Sequence, residues 1–262
     1  MRVCLCTISF REKLLEVALE AAARLGFPAV ELWGREPHVP EIYDESRVRG
    51  IRDMVAERGL SIPVFGSYLY FGKTIHREDN ITLLDTLHTA HGLRAPVVRV
   101  WASDVPSAQA SPEVWKKTVA EAQEACDRAA KMNIVFAAEM HDNTLADTGP
   151  SAKRLVEEIG RDNFRLNFQI STDPEEDQLE RLEAVLPYVV HLHAQNFVFE
   201  GPSEERRWLR RQLTDGVTDY RPLAARLKAA GYEGHLAVEF AAVEGDGREA
   251  SLKADLEYLA SL

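Results

Sequence analysis

Short apolar runs alternate with longer stretches in which apolar residues recur every three or four positions, along the whole chain. Runs of the first kind predict strands at Arg2–Ile8, Ala29–Trp33, Ser61–Ser67, Pro96–Trp101, Ile134–Glu139, Arg165–Ile170, Tyr188–His193 and His235–Phe240. Stretches of the second kind predict helices between them. Arg11–Leu25 puts Leu15, Ala18, Ala22 and Leu25 on one stripe and stops at Gly26. Val48–Arg58 is closed by Gly59, and Arg77–His91 by Gly92. Ser111 and Pro112 read as cap and first residue of a helix running towards Met132, because proline's missing amide costs nothing there. Ser151–Ile159 follows, then a helix from the Asp173–Pro174 pair to Leu186, then Tyr220–Ala230 stopped by Gly231, then Ser251–Leu262.

Eight strand–helix units with no low-complexity linker predict an α/β fold, a single-domain (β/α)8 TIM barrel over residues 1–262. Several strands are nearly all apolar, as expected when helices cover a parallel sheet. A doubly wound open sheet is the competing architecture. It normally carries a glycine-rich first turn, and this chain has Thr7-Ile8-Ser9-Phe10-Arg11 there. No phosphate-binding loop and no glycine-flanked nucleophilic serine occurs either. The stretch Gln195–Thr218 shows no regular period. It holds Phe197, Phe199 and Trp208 with Arg206, Arg207, Arg210 and Arg211, and reads as a lid, a short helix or a contact surface.

Composition narrows the picture. A hydrophobic share of 45% supplies one large core and excludes a disordered chain. The net charge of −11 argues against a general grip on nucleic acid. The three cysteines, Cys4, Cys6 and Cys126, make no disulfide framework and read as reduced, partly buried thiols of a cytoplasmic protein. No signal peptide and no membrane-spanning run is expected.

Polar residues at the C-terminal ends of barrel strands converge on one mouth. Glu139, Gln169, His191 with His193, and Glu239 close the fifth to eighth strands. The two glutamates suit a divalent ion or a pair of proton-transfer groups, and equally suit buried ion pairs with an arginine such as Arg99. Side chains two apart on a strand share a face, so His191 and His193 point together, His193 nearer the end as the better ligand and His191 deeper, placed to orient a carboxylate; each also reads as a hydrogen-bonded core histidine. His141 shares a face with Glu139 and reaches the rim. Trp33, Phe65, Tyr68 and Trp101 sit where they would line an apolar pocket wall or plug the barrel top.

These strand ends resemble the xylose isomerase-like TIM barrel superfamily of sugar phosphate isomerases and epimerases, which also includes an endonuclease branch. The pieces that carry the resemblance are Val30-Glu31-Leu32-Trp33, Glu139-x-His141, His191-Leu192-His193, Gly216-x-x-Asp219-Tyr220, and Gly231-Tyr232-x-Gly234 running into Val238-Glu239-Phe240. The resemblance implies a metal site of Glu139, Gln169, His193 and Glu239, with the two glutamates as the catalytic pair. Mn²⁺ or Mg²⁺ is expected ahead of Zn²⁺. It implies an isomerase or epimerase moving a proton through an ene-diolate of a small sugar, keto-sugar or polyol. His141, His191, Trp33, Tyr68, Trp101, Arg99 and Thr172 are its expected substrate contacts. The chain departs from the epimerase pattern at Gln169, where an aspartate is usual, at Thr172, where a histidine is, and at Gln195-Asn196, where a charged pair is common. A metal-free sugar-binding or partner-binding barrel and an inosose dehydratase-like lyase are the competing functions. The expected partner is a small carbohydrate-like molecule, with neither nucleic acid nor membrane, and a homo-oligomer is compatible with the sequence.

Overall fold

The computed structural model describes residues 1–74, 81–202 and 207–262. Eight parallel strands close into a barrel: β1 (Arg2–Cys6), β2 (Ala29–Trp33), β3 (Ser61–Phe71), β4 (Val97–Ala102), β5 (Val135–Glu139), β6 (Phe164–Gln169), β7 (Val189–Ala194) and, after a hairpin, β10 (His235–Val238). Neighbours in the barrel follow chain order, and β10 pairs with β1 to close it. The helices around it are α1 (Leu15–Leu25), α2 (Glu45–Glu57), α3 (Leu83–Leu93), α4 (Pro112–Ala129), α5 (Gly149–Ile159), α6 (Gln178–Val185), α7 (Tyr220–Ala229) and α8 (Arg248–Ser261). The fold is the expected single-domain TIM barrel.

Local chemistry accounts for most boundaries. Gly26 adopts φ 90°, a left-handed conformation that costs glycine little, and its amide caps the end of α1. The Ser111 side chain accepts from the Val114 amide, with Pro112 in the first turn of α4. Other boundaries moved. The first strand stops at Cys6, and a 3-10 turn over Thr7–Phe10 follows it. The third strand runs on to Phe71, which carries Tyr68 and Tyr70 up to the mouth. The sixth helix is capped by Asp177, whose carboxylate accepts from the Leu179 and Glu180 amides, so Asp173–Pro174 does not start it. The predicted start of the third helix at Arg77 lies outside the described residues, as does Arg206.

The aperiodic stretch after β7 is an antiparallel hairpin, β8 (Asn196–Glu200) with β9 (Arg207–Arg211). Its base is tied to the barrel. Buried Asn196 donates through Nδ2 to the Leu213 and Thr218 carbonyls at 2.8 Å each, and its Oδ1 accepts from the Thr218 amide at 3.1 Å. Gly216 lies against this amide so closely that a Cβ would fall 2.1 Å from it. The Tyr220 hydroxyl donates to the Gln195 carbonyl at 2.7 Å and accepts from its amide at 3.1 Å. The Gly216-x-x-Asp219-Tyr220 pattern is therefore a brace for the hairpin, with Asp219 capping α7. Phe197 is buried and packs on Phe199 and Trp208, so it anchors the hairpin.

Candidate metal centre and active site

Strand register places the polar side chains before any long-range reach is needed. Across β5, β6, β7 and β10, Glu139 pairs with Asn167, Asn167 with His191, Gln169 with His193, and His193 with Ala237. Glu239 follows directly after β10, its amide bonded to the Ala194 carbonyl. The consequence is a cluster centred on His193 Nδ1. Gln169 Oε1 lies 3.3 Å from it, Glu239 Oε1 3.3 Å and Glu139 Oε1 3.5 Å. All four side chains are buried or nearly so.

Three oxygens that can only accept surround one ring nitrogen. Such an arrangement is repulsive unless a positive charge sits among them, either a proton on Nδ1 or a cation. Without an ion, burial works against a charged His193, but Glu31, Glu239 and Glu139 outweigh it and push the imidazole well above the usual histidine range. Burial by itself would raise the Glu139 carboxyl. Arg99, with His193, instead holds it well below the usual carboxylate range. Arg99 Nε lies 3.0 Å from Glu139 Oε2, and both groups are buried. Glu239 Oε2 is buried with no hydrogen-bond partner among the described residues.

The donor set is three oxygens and one imidazole nitrogen, which fits a hard or borderline divalent ion. Glu139, Gln169, His193 and Glu239 are the residues that would hold it. Glu139, His193 and Glu239 meet the spacing of a metal-binding group, and so do Glu31, His191 and His193.

A cavity of about 470 Å³ opens over the cluster. Glu139, Gln169 and Glu239 form its floor, and Arg99, Tyr68, Tyr70, Trp101, His141 and Thr172 stand in its walls. Trp101 stacks with two tyrosines, its ring centre 5.6 Å from that of Tyr70 and 6.2 Å from that of Tyr68. The Arg99 guanidinium lies 4.9 Å from the Tyr68 ring centre and 4.8 Å from that of Trp101. Arg210 and Trp208 bring the hairpin over the opposite rim. Arg210 lies 3.7 Å from the Phe240 ring centre and donates to Gln195 Oε1 at 3.2 Å.

Not every expected contact reaches the cavity. Trp33 stands behind the wall, its indole nitrogen donating to the Tyr68 hydroxyl at 2.8 Å and its ring packed edge-on to His38. Phe65 is buried away from the mouth. His191 lies below the cluster with no exposed surface, as its depth on the strand predicts, and bonds to a carboxylate through Nε2. That carboxylate is Glu31 of Val30-Glu31-Leu32-Trp33, to which the sequence pattern assigns no role of its own. A charged residue inside an apolar strand was the available signal. Tyr70 was missed because the third strand was expected to end at Ser67.

The profile of the xylose isomerase-like TIM barrel family matches residues 19–262. A 3-dehydroshikimate dehydratase from Bacillus anthracis is 27% identical over 208 residues, 75% of this chain and 72% of that protein. Among solved structures, a probable 3-DHS dehydratase from Bacillus anthracis aligns with a TM-score of 0.79 at 23% identity, over 99% of each chain. A xylose isomerase-like TIM barrel protein from Mycobacterium smegmatis, in complex with magnesium, aligns with a TM-score of 0.77 at 18% identity, over 99% of this chain and 95% of that one.

Proposed function

Because the chain belongs to the xylose isomerase-like TIM barrel family, we propose that it is a divalent-metal-dependent enzyme that moves a proton at the carbon beside a carbonyl of a small polyhydroxylated ketone. The observation that carries this reading is the convergence of Glu139, Gln169 and Glu239 oxygens on His193 Nδ1 at the floor of one cavity. A divalent ion bound there supplies charge that polarises a carbonyl and acidifies the adjoining C–H. The residues divide the remaining work. Glu139 is held by Arg99 and serves as a fixed ligand. Glu239 keeps one carboxylate oxygen without a hydrogen-bond partner among the described residues, and we assign it as the base that takes the proton. Gln169 is the ligand without charge, so it weakens the hold on a hard ion relative to an aspartate. Trp101, Tyr68 and Tyr70 form a flat wall against which a ring or an extended carbon chain would lie.

Proton removal leaves an ene-diolate with two exits. Return of a proton to the neighbouring carbon or to the other face gives an isomer or an epimer. Departure of a hydroxyl from the next carbon gives loss of water, and the identity to a curated dehydratase supports this second reading.

One experiment separates the outcomes. Full-length protein loaded with Mg²⁺ is incubated in D₂O with ketohexoses, an inosose and 3-dehydroshikimate, and followed by proton NMR. Deuterium entering beside the carbonyl is expected with at least one of them, together with either an isomer or a dehydrated product. Glu239→Gln is expected to slow exchange about 100-fold or more. A protein that exchanges nothing and takes up no Mg²⁺ or Mn²⁺ is the metal-free binding barrel instead.

A further inference from the structure

We propose that Glu31 is a positioning residue that holds the His193 imidazole as its Nε2–H tautomer and so presents Nδ1 to the metal position; the inference rests on the metal reading above. Glu31 lies on β2, and two barrel strands, β1 and β10, separate it from His193 on β7. Its carboxylate nevertheless reaches the histidine pair through the barrel interior. His193 Nε2 lies 3.1 Å from Glu31 Oε1 and 2.9 Å from Oε2, and His191 Nε2 lies 2.7 Å from Oε2.

The interior is shaped for this reach. Cys4, Cys6, Ala29 and Ala237, all small, pack together on the intervening and adjoining strands. On the other side stands Gly66, where a Cβ would fall 2.9 Å from Glu31 Oε1. A long acidic side chain thus occupies space that its neighbours leave free, and both of its oxygens point at ring nitrogens.

The tautomer follows from donor and acceptor counting. An ionised carboxylate only accepts, so Nε2 of both histidines must carry hydrogen. With Nε2–H engaged, His193 has only Nδ1 left to offer as a lone pair, and Nδ1 is the nitrogen facing Glu139, Gln169 and Glu239. The carboxylate also makes the imidazole a stronger donor to the ion, as paired carboxylates do at other metal-bound histidines. A second ion among Glu31, His191 and His193 is the competing use of the same residues. It would need His193, bound to the first ion through Nδ1, to lose its remaining N–H and bind through Nε2 as well.

A glutamine at position 31 is nearly the same size but has one acceptor oxygen and one NH₂ group. It satisfies one histidine N–H and opposes the other. Mn²⁺ titration followed by electron paramagnetic resonance is therefore expected to show Glu31→Gln binding about 10- to 100-fold more weakly than wild type. Glu31→Asp, which keeps the charge, is expected to recover part of that loss. In ¹⁵N-histidine-labelled wild type loaded with Mg²⁺, long-range ¹H–¹⁵N correlation is expected to show His193 with hydrogen on Nε2 and none on Nδ1. The wild-type arm stands even where Glu31→Gln fails to fold. Hydrogen on Nδ1 in the loaded protein, unchanged Mn²⁺ affinity in Glu31→Gln, or more than one ion per chain would each overturn the proposal. Wild type that binds neither ion overturns the metal reading itself, a result distinct from the other three.

Discussion

At the scale of single residues, Gly66 and Arg99 show how closely the barrel interior is filled around the acidic groups. Adding one methyl at Gly66 places it 2.9 Å from Glu31 Oε1, 3.3 Å from the Leu32 carbonyl oxygen and 3.5 Å from Arg99 Nη2. The backbone carbonyl cannot yield, so the carboxylate must. Gly66→Ala is expected to lose about 1–3 kcal/mol of stability in urea unfolding without metal. It should also weaken Mn²⁺ binding if the displaced carboxylate, which bonds to His193 Nε2, orients the ring as proposed. Arg99 compensates the buried charge of Glu139. Removing one partner of a buried pair costs far more than the pair contributes, and Arg99→Met is expected to lose about 3–5 kcal/mol. A loss below about 1 kcal/mol in the same urea measurement would mean that water reaches Glu139 from below.

At the scale of elements, the hairpin and the last helix are coupled through one buried carboxylate. The Leu213 amide, just after β9, donates to Asp255 Oδ1 on α8 at 2.9 Å. Burial raises this carboxyl to about 6, with Asp215 adding to the rise and the Leu213 bond opposing it. The sign of the linkage is then set. Between the unfolded value near 4 and the folded value near 6 the native state holds more proton than the unfolded one, so stability falls as pH rises through that window. The full effect is at most about 3 kcal/mol. Asp255→Asn keeps an oxygen for the Leu213 amide and removes the charge. Its urea midpoint is expected to exceed that of wild type at pH 7 and to match it near pH 4. Equal midpoints at both values would place Asp255 in contact with solvent.

At the scale of the whole molecule, the barrel gathers Glu31, Glu139 and Glu239 around one histidine in a chain already carrying a net charge of −11. Without an ion the compensating charge is a proton on His193 and the Arg99 guanidinium beside Glu139, and a cation at Nδ1 would take the proton's place. An ion that binds the folded state alone adds about 2.7 kcal/mol at one hundred times its dissociation constant. For a domain of this size that corresponds to a rise of about 5–10 °C in the melting temperature. Differential scanning calorimetry with Mn²⁺, and again after EDTA, measures it. Gln169→Asp should enlarge the shift by adding charge to the ligand set, and Glu239→Gln should shrink it. Identical shifts in both variants would locate the ion elsewhere.

Barrel class, strand order, most helix ends and the strand-end positions of Glu139, Gln169, His193 and Glu239 were legible from local rules, whereas their union in one site was implied only by the family resemblance. Apolar period sets element type, capping residues and glycines set the ends, and alternation sets which strand residues share a face. Glu139, His193 and Glu239 were visible as polar interruptions at the ends of apolar strands. The tertiary structure decided what alternation leaves open, namely depth within the barrel and the partner on the opposite wall. It turned Trp33 into a support for Tyr68, and it converted an aperiodic arginine-rich stretch into a hairpin held by Asn196 and Tyr220. It also joined Glu31 to His193, residues 162 positions apart in the chain. No local pattern encodes that contact, because it depends on the barrel closing and on small side chains leaving a path through its interior.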